Sequence, residues 1–140
     1  MNIHAFRLNQ HGLARLFGDL EAKIMNAVWA LEEPTVQDVV KRLGKRANYK
    51  TVMTVMNRLV EKGFLERRKV SRAFVYLPRL TREALMERLS RQVLDGLLAD
   101  FGPTVVAQFV EAIEETDRAR LAELAKLVES KLDTGKGADV

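Results

Sequence analysis

The sequence predicts a mostly α chain with one small β-hairpin: a winged helix-turn-helix followed by a C-terminal helical arm. Three observations carry this expectation. Apolar residues recur at helical spacing in three short blocks between Asp19 and Lys62. The period then shortens to about two between Phe64 and Leu77, a stretch dense in Arg and Lys. Helical spacing returns at Thr81 and holds to about Leu132.

The first helix takes Asp19 as its N-cap and buries Leu20, Ile24, Ala27, Val28 and Leu31. Glu32-Glu33-Pro34 stops it, because the residue before a proline is pushed out of the helical region. Thr35 caps the second helix, its hydroxyl accepting the Asp38 amide, while the Asp38 carboxylate suits the positive helix end. Val36, Val39, Val40 and Leu43 form its inward stripe, and Gly44 ends it. The third helix runs from about Tyr49 to Lys62 behind an Asn48 cap, with Val52, Val55, Met56, Leu59 and Val60 inward. Its other face carries Lys50, Thr51, Met53, Thr54, Asn57, Arg58 and Glu61. Gly63 closes it in a left-handed conformation, and Phe64 folds back over it.

Residues 64–69 and 73–77 then read as strands joined around Val70-Ser71-Arg72, with Pro78 ending the second because it cannot donate to a ladder. This hairpin, about 65–77, is the wing, and Arg67, Arg68, Lys69 and Arg72 make it basic enough to meet phosphates. Behind it, Thr81 caps a long helix bearing Leu85, Met86, Leu89, Val93, Leu97 and Leu98. Gly102-Pro103 breaks that helix; Val105, Val106, Phe109, Val110 and Ile113 follow, and a last helix from about Asp117 carries Leu121, Leu124, Val128 and Leu132. So much apolar surface cannot be buried within one small arm, and a second copy is the simplest cover. The expected organisation is a flexible tail over 1–16, the winged domain over 17–79, a helical dimerisation region over 80–133 and a flexible tail over 134–140.

Composition narrows the function. The 140 residues suit one domain with an oligomerisation arm, and a hydrophobic fraction of 47% is enough for a packed core. The net charge of +4 is unevenly spread: residues 1–79 hold 15 Lys/Arg against 7 Asp/Glu, and residues 80–140 hold 8 against 12. A basic front suits a polyanion. There are no cysteines, which excludes disulfides, zinc–thiolate sites and thiol catalysis and agrees with a cytoplasmic location. No apolar run approaches the roughly 18–20 residues of a membrane span, and the N-terminus lacks the pattern of a signal peptide. His4 and His11 have no carboxylate or thiolate nearby, so no metal site is expected. Glu32-Glu33 and Glu114-Glu115 point different ways on a helix and do not form an acid–base pair. Neither catalysis nor a cofactor is expected. Two readings of the winged fold stand side by side, a DNA-binding repressor and a protein–protein module, and steep salt dependence of DNA binding separates them.

Leu16 to Met25 with Trp29, the run Tyr49 to Leu59, the segment Glu61-Lys62-Gly63-Phe64-Leu65 and the return strand Phe74-Val75-Tyr76 resemble the BlaI/MecI/CopY family of penicillinase repressors. The resemblance implies a homodimer that sits on a dyad-symmetric operator of double-stranded DNA and blocks transcription. By position it places Lys50, Thr51, Thr54 and Arg58 in the major groove. Read from the residues themselves, Asn48 and Tyr49 at the helix start and Arg67, Arg68 and Arg72 on the wing join the DNA-binding set, and the apolar excess after Thr81 gives the dimer face to Leu85, Leu89, Val93, Leu97, Val106, Phe109, Ile113, Leu121, Leu124 and Val128. Copper-sensing members carry a C-terminal cysteine cluster, which is absent here. Members controlling β-lactam resistance are cut at an Asn–Phe bond in the arm. The matching pair here is Gln108–Phe109, with Gln in place of Asn.

Overall fold

A computed structural model describes residues 16–138, in the order α1 (Asp19–Ala30), α2 (Val36–Leu43), α3 (Tyr49–Glu61), β1 (Leu65–Val70), β2 (Ala73–Pro78), α4 (Arg82–Thr116) and α5 (Arg118–Ala138). Chain compactness divides it into two units that meet at Leu89/Ser90. The mostly helical fold with one antiparallel hairpin is therefore as expected. The boundary lies ten residues later than the expected 79/80, because the start of α4 packs Leu85, with Met86 against it, into the core cluster of the winged unit. Leu85 is 1% exposed and Leu89 5%. Both were expected on the dimer face, and neither is available to it. The tail expected over 1–16 lies outside the described residues apart from Leu16, which packs against the core.

Local chemistry sets the ends of the first three helices. The N-cap of α1 is Gly18, one residue before the expected Asp19, and its amide donates to Glu21 Oε2 at 3.2 Å. Asp19 instead adds its charge to the first turn, where the helix dipole favours it. At α2 the Thr35–Asp38 exchange is complete: Asp38 N–H donates to Thr35 Oγ1 at 3.2 Å, and Thr35 N–H donates to Asp38 Oδ2 at 2.9 Å. These bonds hold the Asp38 carboxyl below its ordinary value, chiefly through the backbone donor of Thr35. Gly44, at φ 98°, ends α2 as expected. At the end of α3, Phe64 N–H donates to Leu59 O and Gly63 N–H to Val60 O, both at 3.0 Å, with Gly63 at φ 87°. This Schellman pair satisfies the last carbonyls and turns Phe64 inward. There its ring meets Phe17 edge-on at 4.9 Å.

The core is a single cluster. Ile24, Met25 and Val28 of α1 meet Val39 of α2, Val52, Met56 and Leu59 of α3, and Leu65 and Tyr76 of the hairpin. No polar or charged side chain is buried among the described residues, so burial costs no desolvated polar group there. Two contacts tie the hairpin and the chain beyond it to this cluster. Tyr76 N–H donates to Pro34 O at 2.9 Å, and Trp29 Nε1 donates to Leu80 O at 3.0 Å. The strands pair from Leu65↔Pro78 to Val70↔Ala73. The loop is therefore Ser71-Arg72 alone, one residue shorter than expected. Ser71 takes φ 58°, the positive value that a tight two-residue hairpin requires at its first loop position.

In the second unit, α4 kinks at Gly102 (φ 34°, ψ −112°) ahead of Pro103, so it is two helical segments joined at the expected break. Asp117 Oδ1 accepts the Ala119 amide at 3.0 Å and starts α5. That helix runs to Ala138, past the expected flexible tail at 134; within it Thr134 Oγ1 donates back to Ser130 O at 2.9 Å. Among the described residues α4 is long and apolar enough to cross a membrane by length and composition. Asp95 and Asp100 interrupt its apolar positions, and the kink at Gly102 divides it, so no uninterrupted apolar run of spanning length is present in it.

Candidate nucleic-acid interface

The inward stripe of α3 forces its opposite face outward. Val52, Val55, Met56 and Leu59 are buried, which leaves Lys50, Thr51, Thr54 and Arg58 exposed at spacings of three, four and seven residues. Tyr49 and Met53 are also exposed, at 47% and 36%, along the edge that faces the wing. Two of these side chains are partly engaged within the helix. Thr54 Oγ1 donates to Lys50 O at 2.9 Å, which turns its hydroxyl proton inward and leaves the methyl and the lone pairs for a partner. Asn48 Oδ1 accepts the Thr51 amide at 3.2 Å, so Asn48 acts first as the N-cap and only its amide N–H groups remain. Lys50 and Arg58 have no ion-pair partner among the described residues.

The register of the hairpin splits the basic wing between two faces. Leu65, Arg67 and Lys69 share one face with Phe74, Tyr76 and Pro78; Glu66, Arg68 and Val70 share the other with Ala73, Val75 and Leu77. On the first face, Arg67 Nη1 donates to Asn57 Oδ1 of α3 at 3.1 Å, and its guanidinium lies 4.6 Å over the Phe74 ring. Tyr76 Oη donates to the same Asn57 oxygen at 2.8 Å. Burial pushes the Tyr76 phenol above its ordinary pKa, with the Arg67 charge opposing, so the hydroxyl remains a donor. On the second face, Arg68 is ion-paired with Glu33 at 2.6 Å. Lys69 and the loop residue Arg72 are exposed without such partners among the described residues.

A groove of about 510 Å³ runs between the start of α2 (Thr35, Val36, Gln37), the outer edge of α3 (Tyr49, Met53, Asn57) and the wing (Arg67, Arg72, Phe74). Tyr49, Met53 and Asn57 of α3 and Arg67 and Arg72 of the wing thus border one concave surface; Lys50, Thr51, Thr54 and Arg58 lie outside its lining, and Arg68 sits on the far side of the hairpin with Glu33. Sequence reasoning missed Asn57, which looks like one more polar residue on an outward face. Its only signal was its position eight residues after Tyr49, in line with the wing-facing edge.

In the second unit, Val93, Ile113, Leu121 and Leu124 are partly buried, while Leu97, Val106, Phe109 and Val128 are exposed. Leu94, Leu98, Phe101, Val110, Leu127 and Leu132 extend this exposed apolar set beyond the residues expected. Gln108 and Phe109 are both exposed and lie in helical backbone. Among the described residues no group of His, Asp or Glu could hold a metal ion.

A penicillinase-repressor family model matches residues 17–129. A transcriptional regulator BlaI of Mycobacterium tuberculosis is 38% identical over 122 residues, covering 82% of this chain and 86% of its own. A penicillinase repressor of Bacillus licheniformis is 30% identical over 95 residues, 66% of this chain and 74% of its own. The solution structure of the B. licheniformis BlaI monomeric form in complex with the blaP half-operator aligns with a TM-score of 0.41 at 33% identity, over 46% of this chain and 80% of that one.

Proposed function

Because this chain belongs to the penicillinase-repressor family, we propose that it is a transcriptional repressor that binds double-stranded DNA as a homodimer on a dyad-symmetric operator. The observation that carries the reading is the exposed row Lys50, Thr51, Thr54 and Arg58 on α3, next to the edge of that helix (Tyr49, Met53, Asn57) that shares a groove with the basic hairpin. An α-helix fits the major groove, where Arg and Lys suit guanine edges or phosphates and Thr offers a methyl to thymine. Arg72 and Lys69 supply sequence-independent contacts to the backbone. Arg67 and Arg68 have intramolecular partners, so they hold the wing in place before they meet any phosphate.

The dimer reading rests on the exposed apolar side chains of α4 and α5. In water this surface is unfavourable, at about 25 cal/mol per Å². Asp95 and Asp100 within the apolar stretch favour a protein partner over a lipid one, since each carboxylate at mid-bilayer costs about 2.5–3.5 kcal/mol. A second copy also provides the two-fold axis that a palindromic operator needs. Release from DNA by cutting at Gln108–Phe109 would require local unwinding of α4, because a protease takes its substrate extended. The test of the whole reading is DNA binding by the full chain at several salt concentrations. Affinity should fall linearly on a log–log plot with a slope of several units, and a flat response removes the proposal.

A further inference from the structure

Asn57 sits where three elements meet, and nothing in the DNA-binding reading uses it. Its Oδ1 accepts two hydrogen bonds, from Tyr76 Oη of β2 at 2.8 Å and Arg67 Nη1 of β1 at 3.1 Å. The orientation of the amide is chemically determined, because a guanidinium can only donate and the atom facing Arg67 must be oxygen. An amide oxygen has two lone pairs, and both are used. Its Nδ2 has no partner among the described residues, and no buried side-chain nitrogen or oxygen there lacks one, so this nitrogen is open to solvent. Asn57 borders the groove between α3 and the wing.

We propose that Asn57 has two roles: it anchors the wing to the recognition helix, and it meets DNA as a hydrogen-bond donor only. The anchor follows from geometry. Residues 57, 67 and 76 are joined through one oxygen, and the stack of Arg67 on Phe74 closes the knot on the wing side. Arg67 is thereby a positioning residue, its charge held against α3 and the Phe74 ring. The second role follows from the occupied lone pairs. A free Asn on a recognition helix reads adenine by accepting from N6 while donating to N7. Asn57 cannot accept, so only acceptors remain as its targets, namely a phosphate oxygen, a purine N7, guanine O6 or thymine O4, and the bidentate contact that singles out adenine is closed to it.

This second role rests on the DNA-binding reading; the anchor does not, and the test separates them. Amide ¹⁵N relaxation on the free full-length protein examines the anchor. In Asn57→Ala the amides of residues 67–74 should become mobile while those of α1 and α2 keep the parent's order. In Asn57→Asp, whose carboxylate still accepts from Arg67 and Tyr76, the wing should stay as ordered as in the parent. A wing equally ordered in Asn57→Ala overturns the anchor. Selection of bound duplexes from random DNA examines the donor. Asn57→Asp, with anchor kept and donors gone, should bind the parent's selected site about tenfold or more weakly. If preference relaxes at one position the donor meets an acceptor of that base; a loss equal on all sequences, which the added carboxylate charge produces by itself, overturns a base contact. Unchanged affinity, or loss of a preference for adenine over guanine at that position, overturns donor-only contact. A parent that binds no DNA removes the donor role together with the repressor reading, and the relaxation result still decides the anchor.

Discussion

Ending the chain after Leu80 should strip the winged unit of much of its stability, whereas ending it after Ser90 should leave that unit folded. The difference is Thr81 and nine residues of α4, which contribute Leu85 to the core cluster at 1% exposure. Each fully buried leucine contributes about 1.5–3 kcal/mol by transfer alone, and the cavity left behind raises the loss to about 2–5 kcal/mol. Leu85 is therefore worth at least about 2 kcal/mol to this core. A unit of this size has a total stability of about 4–11 kcal/mol, from about 0.05–0.15 kcal/mol per residue. At about 4–8 °C per kcal/mol, the chain ended at Leu80 should melt at least about 8 °C below the chain ended at Ser90. Trp29 reports on both, because its bond to Leu80 O is retained in each. Thermal unfolding followed by circular dichroism and Trp29 fluorescence measures the difference. Melting temperatures within a few degrees of each other would refute the assignment of α4's first turns to this core.

Three further outcomes are expected. Thr35→Ala should cost about 1 kcal/mol in urea unfolding, through loss of the side-chain half of the cap. The depressed Asp38 carboxyl adds stability that is present above its unfolded pKa and lost as pH falls through its lower folded value, so urea midpoints should decline below about pH 4; a profile flat in that range contradicts the bonding seen at Thr35. Neutralising Arg72 together with Lys69 should flatten the salt slope of DNA binding by about one unit per lost phosphate contact, while Arg68→Ala, freed from Glu33, should do so less; equal effects would show that the Glu33 pair opens on DNA.

Much of the winged unit was legible because its signals are local. Thr35 and Asp38 lie three residues apart, Gly44 and Gly63 mark helix ends, and the change of period at Phe64 marks the hairpin; each acts over a few residues of chain. What was illegible depends on tertiary placement. The role of Leu85 and Leu89 could not be separated from that of Val93 and Leu97, because one helical stripe runs through all four and only folding shows where the core ends. Four cations crowded into six residues looked equivalent in sequence. The strand register then set Arg67 against Asn57 and Phe74, and it left Arg68 on the opposite face near Glu33. The Asn57 knot joins residues 10 and 19 positions apart, beyond the reach of any local pattern.

The central claim is that α3 reads DNA sequence within a two-fold complex. Sequencing the duplexes that the full-length protein retains from random DNA tests it directly, with Thr51→Ala, Thr54→Ala and Arg58→Ala selected in parallel. The parent should enrich an inverted repeat whose half-sites are about 10 base pairs apart or a multiple of that, and each variant should relax preference at one symmetric pair of positions, losing about 1–3 kcal/mol. Enrichment of no motif by the parent, or the same motif with undiminished preference from all three variants, would contradict the account.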